Sequence, residues 1–338
     1  MDVKVNIKFP DGSVKTINKT IRDKQLIEIN NKNRSHIFRD KTKYSRKDKH
    51  KKITKMKLTT KCNIGNYVHN IKENMLIRRL YLKNKIKYFI CSDIHGFYSI
   101  LRQELKNKRF SLKNPNHILV ICGDLFDRGN EAVELLNFVY DLYKQNRLVF
   151  IKGNHETCFQ KCLNSLINYE NIPNYHIHNK TLNTIAQLCG LDEYFLLLKF
   201  YTKNQLKNND NIKKVLELIR HAVYYYEIND KYLLVHGSIP RDNIKDISKV
   251  TKKDWEIAMW FNGIEDWYNG IRYKDKTIIC GHFHTSFGHY NYHHIGDGEF
   301  ENNSCFDIFK DKQIIALDAC TVLSRKINIL VISEKSTV

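Results

Sequence analysis

The chain has 338 residues, 42% of them hydrophobic, enough for one large domain with its own core plus a smaller appendage. Its formal net charge of +20 is uneven: residues 1–88 carry 25 Lys+Arg against 7 Asp+Glu, a net of +18, leaving 31 against 29 for the remainder. Met1 to Gly12 hold no apolar run and nowhere do eighteen apolar residues follow one another, so neither secretion nor a membrane span is expected.

The N-terminal quarter reads as two pieces. Val3, Val5, Ile7 and Phe9 alternate with polar residues, Pro10-Asp11-Gly12 turns, and Val14 resumes, which predicts a small β-hairpin element over 1–33. Residues 34–87 are expected to form a basic flexible arm ending in a short lead-in helix near 66–82, because Arg34 to Lys61 hold twelve basic and two acidic residues and few large apolar ones. Such an arm is either a solvated tail or a nucleic-acid contact.

From residue 88 to 338 short apolar strands alternate with amphipathic helices, the signature of an α/β domain. Strands are expected at 88–91, 118–122 and 148–151, with helices near 97–107, 130–145 and 155–168. Later strands at 224–228, 232–235, 277–280, 314–317 and 327–332 are closely spaced and predict a second, more antiparallel sheet. The nine cysteines contain no CxxC pair, and Cys91, Cys122 and Cys280 lie in or at the ends of apolar runs, as reduced core residues of a cytoplasmic protein do. Cys158 and Cys162 suit one helix face, but without a second pair a thiolate zinc site is not expected.

Five polar motifs fall at strand ends, where an open α/β sheet places its ligands: Asp93-Ile94-His95, Gly123-Asp124-Leu125-Phe126-Asp127-Arg128-Gly129, Gly153-Asn154-His155-Glu156, His236-Gly237 and Gly281-His282-Phe283-His284. An isolated Asp-x-His is ordinarily a turn. Together the motifs supply two carboxylates, an amide oxygen and four imidazoles, a nitrogen and oxygen set suited to two first-row metal ions rather than calcium. Gly123, Gly153 and Gly281 are expected where the backbone turns sharply beside a ligand. His176, His178, His221, His289, His293 and His294 fit no motif and are expected on the surface or in loops.

In these ordered motifs the chain resembles the calcineurin-like metallophosphoesterase superfamily, whose pattern is D-x-H, G-D-x-x-D-R, G-N-H-E, H-G and G-H-x-H. The resemblance covers about 88–333 and looks closest to phage-type and bacterial serine/threonine protein phosphatases. It implies a four-layer α/β/β/α sandwich of two mixed sheets. It also implies one metal on Asp93 and His95, Asp124 bridging to a second metal on Asn154, His236 and His282, and His284 completing the shell of the first. Manganese is the expected metal, with iron, zinc or cobalt as alternatives.

The implied chemistry is phosphate-ester hydrolysis, by direct attack of a hydroxide bridging two cations about 3.5–4 Å apart. His155 would protonate the departing oxygen while Asp127 holds its imidazole, and Arg128 and Lys152 would neutralise phosphoryl oxygens. Asp318, in Ala316-Leu317-Asp318-Ala319-Cys320, matches a late family segment that commonly reads Asp-Thr-Gly and is expected to be structural. The protein-phosphatase branch usually has Arg before Gly-Asn-His and another Arg after a Trp. Here those places read Lys152 and, after Trp260, Phe261-Asn262-Gly263. Two substrate classes therefore stay open: a phosphoprotein or small phosphate monoester, and a nucleotide, dinucleoside tetraphosphate or nucleic-acid end.

Overall fold

Alternation along each strand sends its residues to two different cores. In β3 (Lys87–Cys91), β4 (His117–Cys122) and β5 (Leu148–Ile151), the side chains of Phe89, Cys91, Leu119, Ile121, Leu148 and Phe150 pack into one buried cluster. Tyr88, Ile90, Ile118, Val120, Cys122, Val149 and Ile151 pack into another on the opposite face. A strand side chain reverses face at every residue, so a continuous apolar run means both faces are covered. The computed structural model describes residues 2–8, 14–20, 86–241 and 246–334.

The chain divides into two units, residues 1–61 and 62–338. In the first, β1 (Asp2–Lys8) pairs antiparallel with β2 (Val14–Thr20), Asp2 opposite Thr20 and Lys8 opposite Val14. The predicted arm over 34–61 and lead-in helix near 66–82 lie outside the described residues.

The second unit holds two sheets. β3, β4 and β5 run parallel, and β11 (Leu330–Ser333) adds antiparallel to β3. The other sheet has the order β6 (Tyr225–Ile228), β7 (Tyr232–Val235), β8 (Thr277–Cys280), β10 (Ile314–Ala316), β9 (Phe309–Asp311). Leu234, Ile279 and Ile315 face the first sheet, joining its inner residues in a shared core between the two sheets.

Helices cover both outer faces. Over the first sheet lie α1 (Tyr98–Asn107), α2 (Ala132–Lys144), α3 (Asn154–Asn168), α5 (Thr181–Cys189) and α8 (Asp210–His221), contributing Leu101, Leu135, Phe159, Ile185 and Leu218 among others to its outer core. The short helices α4 (Asn174–His178), α6 (Glu193–Leu197) and α7 (Lys203–Asn208) lie between α3 and α8 in the chain. Over the second sheet α9 (Lys252–Ala258) and α10 (Gly263–Tyr268) bury Trp255, Ala258, Ile264 and Trp267. Each such large apolar side chain contributes about 1.5–3 kcal/mol on burial, and truncating the fully buried Leu135 to Ala would cost about 2–5 kcal/mol. The layers are α/β/β/α, as the resemblance implies.

The second sheet is mixed and, as expected, the more antiparallel of the two, with two antiparallel pairings of four against one of three in the first; β7, β8 and β10 are its parallel neighbours. Helices α9, α10 and α11 (Thr285–His293) occupy their crossovers, and parallel strands need such long connections. The last strand belongs to the first sheet, and its expected opening residues do not pair: Ile327 and Ile329 are buried in the core beneath the helices instead. Among the described residues no helix is long and apolar enough to cross a membrane.

Candidate metal centre

The parallel strands place their carboxyl ends together, and the loops leaving them are tied to one another. Asp93 N donates to Gly123 O at 3.1 Å, His95 N to Asp124 O at 3.0 Å and Gly281 N to His236 O at 2.7 Å. Asp93 Oδ2 accepts the His282 amide at 2.9 Å, joining the first sheet to the second. Backbone strain is concentrated here: Asp93, His95, Asp124, Asp127, Arg128 and His282 all have positive φ, between 51° and 76°. Non-glycine residues persist there only when their surroundings hold them, at a cost on the order of 1–3 kcal/mol each.

Asp124 is the hub. Its Oδ1 lies 3.3 Å from His236 Nε2, and its Oδ2 lies 3.8 Å from both His95 Nε2 and His155 Nε2. Two groups with ligand atoms within 4.8 Å of one another share it: His95, Asp124 and His155, and Asp124, His236 and His282. Asp93 Oδ1 approaches His95 Nε2 to 3.9 Å, and Asn154 Oδ1 lies 2.8 Å from His236 Nε2. The structure thus brings Asp93, His95, Asp124, Asn154, His236 and His282 together in one buried centre.

The donor set fits cations between these groups. His236 Nδ1–H donates to Cys122 O at 2.7 Å and His95 Nδ1–H to Phe126 O at 3.0 Å, leaving each Nε2 with a lone pair. Carbonyl acceptors of this kind fix the tautomer of metal-binding histidines. The His236 Nε2 lone pair then faces two other acceptors, Asn154 Oδ1 and Asp124 Oδ1, an arrangement that a positive ion between them relieves. His282 Nε2 is buried with no hydrogen-bond partner. Burial and the neighbouring His236 lower the His282 pKa to about 3, so its imidazole is neutral.

The carboxylates tell the same story. Burial would raise Asp124, yet His236, His155, His95 and His282 outweigh it and hold its carboxyl below the usual range. Asp93 is pushed well above that range by burial, Asp318 and Asp124. Buried acids this close repel one another unless cations compensate them.

Glycines admit these contacts by different means. Gly123 has φ +83°, and a Cβ on it would stand 2.4 Å from His236 Nδ1. Gly281 and Gly153 need no left-handed turn: they are small because a Cβ would stand 2.2 Å from Asp93 Oδ2 and Asp124 Oδ1 respectively. The expectation of sharp turns at all three thus holds for Gly123 alone.

His155 is buried, and its Nδ1–H donates to Asp127 Oδ2 at 2.6 Å. Burial opposes its charge, but Asp124 and Asp127 prevail and raise its pKa. Arg128 is half-buried and acts electrostatically on His95, His155, His282 and Asp318, which places its guanidinium beside the centre.

Two expected residues make contacts outside these two groups. Lys152 is buried with its ammonium 6.0 Å from the Tyr224 ring centre, and burial lowers its pKa. His284 joins neither group: its Nε2 lies 2.9 Å from Glu299 Oε2 and its ring 4.4 Å from that of Phe300.

Sequence reasoning assigned no role to Glu156 or Trp260 and expected Asp318 to be structural. Glu156 accepts the amides of Gly153 at 2.7 Å, Leu125 at 2.9 Å and Asp124 at 3.1 Å, bracing the hub loop. Its place as the third residue of α3, from which a Glu side chain can reach back to the N-cap amide, is the signal that could have revealed it. The Trp260 ring meets His282 edge-on at 6.1 Å. Asp318 is buried beside Asp93, accepting the Cys320 amide at 2.7 Å. His176 and His289 are buried rather than on the surface.

The four-layer sandwich carries, at the edge of its sheets, two histidine groups that share one carboxylate and could each hold a metal ion. The chain belongs to the calcineurin-like phosphoesterase family, whose model matches residues 86–317. It is similar to the bis(5'-nucleosyl)-tetraphosphatase PrpE [asymmetrical] of Bacillus subtilis, 27% identical over 180 residues, covering 51% of this chain and 65% of that one. The protein of that name from Bacillus velezensis is 36% identical over 183 residues, covering 51% and 64%. Serine/threonine-protein phosphatase T of Saccharomyces cerevisiae is 27% identical over 160 residues, covering 46% and 24%. The matches thus span less than two thirds of these relatives.

Proposed function

We propose that the protein is a metal-dependent phosphoesterase that hydrolyses phosphate monoesters by direct in-line attack of water, with no covalent intermediate on the chain. The observation that carries this reading is the Asp124 hub, shared by two groups of nitrogen and oxygen donors, one buried and one buried but for the half-buried His282. Two divalent ions held by Asp93, His95, Asp124, Asn154, His236 and His282, with His284 as a further candidate, would supply Lewis-acid charge and an acidified water. Manganese suits these donors, and iron, zinc and cobalt are accepted by the same set.

The chain's own residues do the rest. Arg128 draws in the phosphoryl oxygens, and Lys152 adds positive charge to the approach. His155, charged and oriented by Asp127, gives its Nε2 proton to the departing oxygen as the phosphorus–oxygen bond breaks. Phosphoproteins and small phosphate esters are the substrates of this first reading. A second reading, hydrolysis of nucleotides, dinucleoside tetraphosphates or nucleic-acid ends, is favoured by the names of the bacterial relatives. The basic residues before 62 would add a nucleic-acid contact by counterion release. The eight described cysteines are all free, which supports a reducing compartment such as the cytoplasm.

A reconstituted activity panel decides between the readings. Full-length protein loaded with each metal in turn is offered phosphopeptides, aryl phosphates, nucleotides, dinucleoside polyphosphates and end-phosphorylated nucleic acid. Hydrolysis of one class well above the others names the substrate; no hydrolysis of any class with two ions bound would refute the proposal.

A further inference from the structure

We infer that Thr181, at the start of α5 and outside every motif, is a positioning residue for proton donation by His155. The inference rests on the phosphoester reading above. Asp127 Oδ2 accepts two hydrogen bonds, from His155 Nδ1–H at 2.6 Å and from the Thr181 hydroxyl at 2.7 Å. Its other oxygen is buried without a hydrogen-bond partner, so the two bonds that hold this carboxylate converge on one oxygen. Thr181 itself is fully buried.

The rest of this segment grips the same turn. The Asp127 amide donates to Thr184 Oγ1 at 3.1 Å, and the Arg128 amide donates to Asn179 O at 3.2 Å. Residues 127 and 128 have φ of 76° and 63°, unfavourable for side-chain-bearing residues, and the 179–184 segment is what holds them there. With Asp127 held in this way His155 Nδ1–H keeps its acceptor, and Nε2 lies 3.8 Å from Asp124 Oδ2.

In the reaction the electron pair of the breaking phosphorus–oxygen bond goes to the departing oxygen, which takes the Nε2 proton. His155 is left neutral with Nδ1–H still on Asp127. Thr181 touches no reacting atom and acts through Asp127 alone.

The test compares Thr181→Val, which keeps the shape and removes the donor, with Thr181→Ser and His155→Asn in full-length, Mn2+-loaded protein. Thr181→Val is expected to lose about tenfold in kcat on phenyl phosphate, less than about twofold on 2,4-dinitrophenyl phosphate, with KM little changed, because only a poor leaving group needs the proton. Thr181→Ser should match the wild type on both. In the metal-free protein, the low-field proton resonance of the short His155–Asp127 bond should persist in wild type and Thr181→Ser and vanish in Thr181→Val. An equal loss on both esters, no loss, or an unchanged resonance overturns the inference. His155→Asn separates the failures: if it shows leaving-group dependence and Thr181→Val does not, only the Thr181 role falls. If His155→Asn shows none, the proton-donor reading falls and takes Thr181 with it. Should Thr181→Val fail to fold, Thr181→Ala carries the same comparison.

Discussion

Replacing Gly153 by Ala adds one methyl group and leaves every ligand in place. The backbone at 153, φ −98° and ψ 178°, is open to any residue, so conformational strain adds nothing. The new Cβ would stand 2.2 Å from Asp124 Oδ1 and 2.7 Å from its amide nitrogen, where 3.0 Å is the practical floor, so one partner must give by about 0.8 Å. Asp124 cannot easily do so: its Oδ1 accepts the His155 amide at 3.1 Å and its own amide is held by Glu156. Overpacking of this kind costs about 1–3 kcal/mol of stability. A shift near 1 Å in a reacting geometry costs roughly a hundredfold in turnover.

The matched control is Gly190→Ala, where the added Cβ meets nothing within 4 Å but φ is +65°. It should cost about 1 kcal/mol in stability and nothing in activity. The assay is kcat/KM on 4-nitrophenyl phosphate with metal content and thermal unfolding recorded for both variants. Gly153→Ala within threefold of wild-type activity, with both ions bound, would refute the claim that hub geometry limits the chemistry.

Three further outcomes are expected. His236→Ala should abolish aryl-phosphate hydrolysis while the domain stays folded by circular dichroism, since it removes one donor from the second group but little of the core. Chelation should lower the unfolding temperature, and at metal concentrations near 100 times Kd the difference corresponds to about 2.7 kcal/mol; an unchanged melting curve would speak against bound ions. Deleting residues 1–61 should leave aryl-phosphate turnover nearly intact, because all five motifs follow residue 87. It should also weaken binding to DNA or RNA at low salt, with the loss shrinking as salt rises; unchanged affinity at low salt would remove the nucleic-acid role.

The centre was legible in the sequence because its donors sit one to three residues beyond apolar runs that can only be buried strands, as with Cys91 before Asp93 and Val235 before His236. Periodicity read the three parallel strands of the first sheet to within a residue. It did not read the helices from Asn174 to Asn208, which are mostly short and joined by polar turns, nor the longer one at Asp210–His221, nor β9, a three-residue edge strand. Thr181 carried no signal, because its partner Asp127 lies 54 positions away and a lone Thr looks like any other. The Glu299 contact of His284 was likewise invisible, since it depends on how the loop before β9 returns over α11. Local patterns announce which side chains are buried; only the closed fold fixes which of them meet.

The measurement that reaches the central claim most directly is metal stoichiometry, by elemental analysis after equilibrium dialysis against Mn2+, for the wild type, Asp124→Asn and His155→Asn. A centre built on a shared Asp124 carboxylate predicts two ions per wild-type chain, two in His155→Asn, and loss of at least one in Asp124→Asn. Two ions retained in Asp124→Asn, or none in the wild type, would contradict it.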